Sequence, residues 1–423
     1  MEWKRGLNFS RKKYKIIEKN IFIPHIRKDG RATIPYQILL NFNISKKEIA
    51  LIKIKGNGIE KLRIKKLYAE TNSYTISLKA EKKFKNLKIE VLDIISEKDA
   101  LSRNPENDFS LKNFIPQFTS SNKGSTPIYL FEINSNLIVG GYYKKDLKIK
   151  NKIDFNDSSL EAIGLYFAEG GKTASSFTNS WPNAINCVLN FMEYLFNIKK
   201  KEIKASICCN YSLNNKQKKL EYFWRVQTGV SNFSRGLHFN KNSTSPQGIL
   251  ELYFCSIVIK SILVSIIEKI LDYDINITPL LRGIFSGDGS PILQNKYCIT
   301  HNLAFNNKEK KFYLNVLKKN FPNTKISIVK GRFVVYSSWE ENRELLFNDI
   351  YMFNSINRGK FARQFFALPK TKRMLSSDPK LQRFLKNKYP KIISELLNTY
   401  RKLVNLGIQN KDFIKNKEKI WII

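Results

Sequence analysis

Alternation of apolar and polar positions marks the first third of the chain. Tyr74-Thr75-Ile76-Ser77-Leu78 and Leu87-Lys88-Ile89-Glu90-Val91 place apolar side chains at every second position, the period of a half-buried strand. Residues 1–150 are therefore expected to be β-rich. A polar loop over residues 102–126, holding Asn104-Pro105 and Asn122-Lys123-Gly124, would divide them internally. Further on, helical periods appear at about 183–196, 256–271, 307–320 and 339–347. Strand-like stretches end at Phe177-Thr178-Asn179 and cover 220–230, 248–254, 297–302 and 325–329. A turn at Lys330-Gly331 then leads to a strand over 332–336, and a loop is expected at 231–247. From about 357 the pattern is helical and basic, as in residues 381–406, with a break expected at Pro390.

One segment recurs. Ala162-Ile163-Gly164-Leu165-Tyr166-Phe167-Ala168-Glu169-Gly170 is restated as Leu281-Arg282-Gly283-Ile284-Phe285-Ser286-Gly287-Asp288-Gly289. Each copy is a short apolar helix with small residues four apart, then a carboxylate, then glycine. Gly164 with Ala168, and Gly283 with Gly287, lie on one face and let two helix backbones approach closely. The closing glycine suits the left-handed conformation that ends many helices. Packed side by side, the helices would bring Glu169 and Asp288 together at their C-terminal ends. Helix dipole and like charge both oppose that arrangement unless a divalent cation sits between the carboxylates.

The element order around each copy is duplicated as well: helix, hairpin, helix, hairpin, helix. The expected fold is α+β, with two pseudo-symmetric αββαββα halves at 151–275 and 276–356, each carrying an antiparallel sheet. The β-rich region at 1–150 and a basic helical extension at 357–423 flank them.

Charge narrows the class of partner. The chain carries 73 Lys and Arg against 36 Asp and Glu, a net +37, so nucleic acid is the default partner. A Lys-rich genome can raise lysine, but it does not deplete acids. With 42% hydrophobic residues the chain can build a packed core. The five cysteines form no CxxC pair, which points to reduced core thiols and a cytoplasmic, nucleoid-associated location; an organellar one stays open, the basic start being a weak transit signal. The most apolar stretch, 250–271, contains Glu251, Lys260, Glu268 and Lys269 and reads as a packed helix, not a membrane span. His25, His238 and His301 lie far apart and offer no metal cluster.

The paired segments resemble the motifs of LAGLIDADG homing endonucleases, and Ala168-Glu169-Gly170-Gly171 is similar to the variant of the prokaryotic and archaeal branch. The resemblance covers about residues 158–356. It implies that the motif helices form the interface of a monomer and that both sheets make a saddle over the major groove of a long double-stranded DNA target. It implies that Glu169 and Asp288 bind metal and cleave both strands. Phe167 and Ser286 replace the motif's first Asp, a position that packs or caps. Hard carboxylate and carbonyl oxygens suit Mg²⁺ (or Mn²⁺) better than zinc.

Lys330 is the candidate basic catalytic residue, with Lys219 and Arg225 as weaker counterparts in the first half. DNA-reading candidates are Lys172, Asn179, Trp181 and Arg225 in the first half, and Lys296, His301, Asn302 and Arg332 in the second. The rival functions are an RNA maturase acting on intron RNA and a catalytically silent DNA-binding regulator. An intein is disfavoured, since the chain starts Met1-Glu2-Trp3 and ends Trp421-Ile422-Ile423, without a terminal nucleophile or a final His-Asn.

Near the N-terminus, Lys28-Asp29-Gly30-Arg31-Ala32-Thr33-Ile34-Pro35-Tyr36-Gln37-Ile38 with Asn43-Ile44 resembles the swapped-hairpin (AbrB-like) DNA-binding domains. There a glycine-arginine turn leads a strand ending Thr-Ile-Pro, with proline opening a short helix. Basic clusters at 358–363 and 370–373 would clamp phosphates.

Overall fold

Two units divide the chain, Met1–Ile153 and Asp154–Ile423, so both expected halves share the second unit and the boundary falls three residues beyond the expected one. The computed structural model describes residues 14–42, 47–70, 73–104, 109–119, 125–141, 146–171, 175–295, 298–307, 309–322, 326–336 and 379–421.

The first unit runs β1 (Tyr14–Glu18), β2 (Ile21–Pro24), β3 (Arg31–Ile34), α1 (Tyr36–Leu39), β4 (Ile49–Gly56), β5 (Ile59–Lys66), β6 (Tyr68–Glu70), β7 (Ser73–Ser77) and β8 (Lys88–Ile95). It continues through α2 (Glu97–Leu101), the short pair β9 (Phe118–Thr119) and β10 (Thr126–Pro127), and a meander of β11 (Tyr129–Ile133), β12 (Asn136–Gly140) and β13 (Leu147–Lys150). The main sheets have the orders β1-β2-β8-β4-β5 and β3-β7-β6.

That order contains an internal pseudo-twofold. β3 pairs antiparallel with β7, Thr33 facing Thr75, and β4 pairs antiparallel with β8, Ile49 facing Ile95. β2, which precedes β3, borders β8, while β5, which leads through β6 to β7, borders β4. Two segments of one chain thus complete each other's sheet around a shared core that includes Phe22, Ile34, Ile52, Ile76 and Val91. The resemblance at residues 28–44 touches only the first segment. Pro35 stands at the cap, one position before the helix.

The described residues of the stretch at 102–126 are better anchored than a polar loop would be. Leu111 and Phe114 are fully buried, and the Arg103 guanidinium donates to the carbonyls of Ala100, Ser102, Ile115, Pro116 and Ile128. Burial lowers the Arg103 pKa to about 10.

The second unit begins α3 (Asp157–Glu169), β14 (Ser176–Asn179), α4 (Pro182–Phe196), β15 (Lys204–Cys209), α5 (Gln217–Thr228), β16 (Leu237–Phe239), β17 (Ile249–Tyr253) and α6 (Ile257–Lys269). Its second half is α7 (Thr278–Asp288), β18 (Gly289–Asn295), β19 (Cys298–Ala304), α8 (Lys310–Asn320), β20 (Ile326–Val329) and β21 (Arg332–Tyr336); the helices α9 (Pro379–Asn405) and α10 (Lys411–Trp421) follow.

The sheets are ordered β14-β17-β15-β16 and β18-β19-β21-β20. They correspond in register, because the bridge Gly170↔Phe177 in the first matches Gly289↔Leu303 in the second. β14, β17 and β15 then match β19, β21 and β20. The added edge strand β16 lies parallel to β15, a local departure from antiparallel pairing.

Residues 220–228 lie in helix α5, in place of the strand expected over 220–230. Leu220, Phe223, Trp224 and Thr228 are buried at helical spacing, and Gly229 ends the helix with φ +78°. The strand belonging to that half is β15. Nor does Pro390 break the tail: α9 runs through it. The bond that proline cannot make is offset by burial of Ile392, Leu396, Tyr400 and Leu403 beyond it. The tail docks on the first half, where Lys216 Nζ donates to the Ile408 carbonyl over 2.7 Å and Gln409 Nε2 to that of Pro246 over 2.8 Å. The expected helix at 339–347 and the basic clusters at 358–373 lie outside the described residues.

Candidate functional site

α3 and α7 pack along their small-residue faces. A Cβ added to Gly164 would stand 2.2 Å from the Leu280 carbonyl oxygen, and one on Gly283 would stand 2.1 Å from that of Glu161. Backbone touches backbone at both crossings, which no larger residue allows. Gly287 meets the Cβ of Ala168 and the Cγ of Glu169. The Glu169 side chain therefore lies against the residue preceding Asp288. At the far end Arg282 bonds Glu161 and reaches Asp157 at 3.6 Å, tying the helices together.

Neither helix ends in the left-handed turn expected of its glycine. Gly170 has φ −73° and ψ 152°, and Gly289 has φ −80° and ψ 149°. The chain passes directly into extended backbone and sheet pairing. Glycine at 170 is required for space, since a Cβ would stand 2.2 Å from the Tyr166 carbonyl oxygen.

Helix α8 supports the acids from below. Tyr313 is fully buried and donates its hydroxyl to Asp288 Oδ2 at 2.8 Å. Burial, then the charge and hydrogen bond of Asp288, then Glu309 and Glu169, push this phenol far above its usual range, so it stays a neutral donor. Phe167 meets Phe312 and Tyr313 edge-on at 4.7 and 5.6 Å between centroids. Ser286, buried at the matching position of α7, donates to the Arg282 carbonyl. Glu309 acts locally, forming with Asn306 the reciprocal box that caps α8.

Strand parity sorts the nucleic-acid candidates. In β14, Phe177 and Asn179 face the helices. Asn179 is buried and accepts from the Trp181 amide at 2.9 Å, shaping the turn into α4, and Trp181 is itself buried. Both correct the expectation that they read DNA. His301 shares the helix side of β19 with Leu303; it is fully buried, and burial pushes its pKa down to about 3. It is a neutral core residue, not a groove-facing one. Arg225 is exposed on α5, away from the sheet.

Asn302 and Arg332 occupy the opposite, outer face of the second sheet. Arg332 is exposed, and the buried Asn302 Oδ1 has no hydrogen-bond partner among the described residues. Lys330 sits exposed at the β20–β21 turn with φ +46°, followed by Gly331 at +74°, the two positive values of a hairpin turn. Among the described residues it makes no hydrogen bond or ion pair, so nothing ties it to the acids. Lys219 is exposed on α5, its Nζ near Gly407. Lys172 and Lys296 lie outside the described residues.

On the outer face of the first sheet the structure instead places Thr178, Ser206, Glu251 and Tyr253. Ser206 Oγ and Tyr253 Oη both donate to Glu251 Oε2, at 2.7 and 2.8 Å, and the Arg235 guanidinium lies 4.0 Å from the Tyr253 ring centroid. The alternation Ile249-Leu250-Glu251-Leu252-Tyr253, with Leu250 and Leu252 buried, carried that signal.

No family model matches the sequence, and no curated protein does. Among solved structures the chain is similar to one described as the N-terminal LAGLIDADG domain of DUF199/WhiA, at 15% identity over 48% of this chain and 88% of that one, with a TM-score of 0.26. A likeness that low carries no argument about activity. No helix among the described residues is long and apolar enough to cross a membrane.

Proposed function

We propose that the chain is a site-specific DNA endonuclease, with Glu169 and Asp288 as its metal-holding acids. The observation that carries this reading is the pairing itself: two glycine-packed helices end side by side in carboxylates, each at the start of a sheet. Nothing in the packing of an ordinary core asks for two acids there.

Among the described residues no three His, Cys, Asp or Glu converge on one metal position. Two carboxylates with neighbouring helix C-terminal carbonyls fit Mg²⁺ or Mn²⁺, which keep several waters, better than zinc, which takes a closed set of nitrogen and sulfur ligands. When bound, such an ion neutralises phosphate charge and stabilises the leaving 3′ oxygen. The chain's own part is positional. The glycine crossings fix the distance between helix ends, and Tyr313 holds Asp288 in place through its Oδ2. The outer sheet faces align a duplex along the pair, and the +37 charge draws it in as a monomeric complex.

The test is incubation of the full chain with a library of randomised duplex DNA and Mg²⁺, followed by sequencing of new ends. Metal-dependent cuts at one recurrent sequence are expected. Selective DNA binding without cleavage would point to a silent regulator, and enhanced splicing of an intron RNA to a maturase; either result replaces the nuclease reading.

A further inference from the structure

The shared register of the two sheets sets one residue of each half at an equivalent place. Gly170↔Phe177 corresponds to Gly289↔Leu303, so Thr178↔Glu251 corresponds to Ala304↔Arg332. On the other side, Ser206↔Glu251 corresponds to Val329↔Arg332. Glu251 and Arg332 therefore stand at the same position of the same outer face, with opposite charge.

In a chain carrying 73 cations against 36 acids, Glu251 makes no ion pair among the described residues. Two hydroxyls hold it instead, and both donate to Oε2. Its rotamer is fixed while Oε1 keeps its lone pairs. A carboxylate on a surface meant for a polyanion costs affinity, unless it accepts a hydrogen bond from the bound molecule. In the major groove only the amino groups of cytosine and adenine donate. Adenine N7 lies beside its amino group and repels a carboxylate, which leaves cytosine N4 as the fitting partner. Arg332 is exposed and, with no ion pair among the described residues, is suited to guanine O6 and N7.

We propose that Glu251 and Arg332 are specificity residues that break the symmetry of the target: at positions related by the pseudo-twofold, the first half selects cytosine and the second half selects guanine on the strand each contacts. This rests on the reading of the second unit as a DNA-binding nuclease. The bases lie in equivalent places, but the chain does not read them alike, so the site is not palindromic there.

The experiment is a binding selection by the full chain from randomised duplex DNA, scored by enrichment and independent of cleavage, for wild type, Glu251→Gln and Glu251→Arg. Wild type should favour cytosine at one position of the first half-site by about tenfold. Glu251→Gln, which still accepts from Ser206 and Tyr253, should lose that preference, with every other position unchanged. Glu251→Arg should turn it to guanine and make the two positions alike. Retained selective binding with an unaltered profile in both variants, or adenine enrichment in wild type, would overturn the assignment of Glu251 alone. Absence of selective DNA binding by wild type would overturn the underlying reading as well. Thermal melting of Glu251→Gln close to wild type shows that a lost preference is not a lost fold.

Discussion

Tyr313, buried on the helix beneath the two motif helices, donates its hydroxyl proton to Oδ2 of Asp288 across 2.8 Å. The bond fixes one of the paired acids through an element that is neither a motif helix nor a strand of the sheets. Deleting only the oxygen tests that role, because a phenylalanine keeps the edge contact with Phe167. Tyr313→Phe is expected to lower cleavage by about ten- to a hundredfold, the equivalent of about 1.5–3 kcal/mol for a hydrogen bond to a charged group. It should also raise the Mg²⁺ concentration for half-maximal activity. A purely structural tyrosine would lower the melting temperature and leave the Mg²⁺ midpoint where it was.

The glycine crossings make a second prediction. A methyl at 164 or 283 meets a carbonyl oxygen at just over 2 Å and cannot be relieved by a side-chain rotation, so the helices must separate. Gly164→Ala and Gly283→Ala should each cost at least about 1–3 kcal/mol in denaturant unfolding. Gly331→Ala is the control: it has open space around it and only its φ of +74° to lose, about 1 kcal/mol. Equal effects at all three positions would contradict the close crossing.

His301 sets a pH dependence. Its folded pKa is depressed to about 3 from 6.5, so below 6.5 the unfolded chain takes up a proton that the native one refuses. The stability it contributes is complete above pH 6.5 and falls away as the pH drops toward 3. Between pH 7 and 5.5 the wild type should lose about 1 kcal/mol relative to His301→Gln, which does not titrate. Parallel stability curves for the two proteins across that interval would place the imidazole in water.

Strand parity separates reading residues from turn residues. Arg332→Ala should relax base preference at one position of the second half-site, where wild type selects guanine, with folding stability within about 0.5 kcal/mol. Asn179→Ala should do the reverse, costing about 1 kcal/mol of stability through the lost Trp181 bond and leaving base preference alone.

Much of the architecture was legible because it rests on strong local signals. The small-residue faces of α3 and α7, the strands after each carboxylate and the Lys330-Gly331 turn follow directly from residue spacing. What escaped has physical causes. Tyr222, Phe223 and Trp224 favour strands in isolation, yet Leu220, Phe223, Trp224 and Thr228 bury one helical stripe, and packing prevailed over propensity. The side chains of Asn179 and His301 have the chemistry to read a groove, but they share a face with Phe177 and Leu303, and period-two parity sends both inward. Tyr313 and the interlaced pairing of β3 with β7 depend on contacts remote in sequence, which no window along the chain contains.

The most direct test of the central claim is single-turnover cleavage of the selected duplex, at saturating Mg²⁺, by wild type, Glu169→Gln and Asp288→Asn, with DNA affinity measured alongside. Each variant is expected to bind the duplex as wild type does and to cleave at least about a hundredfold more slowly. Cleavage by either variant at the wild-type rate would contradict the assignment of these two carboxylates as the catalytic pair.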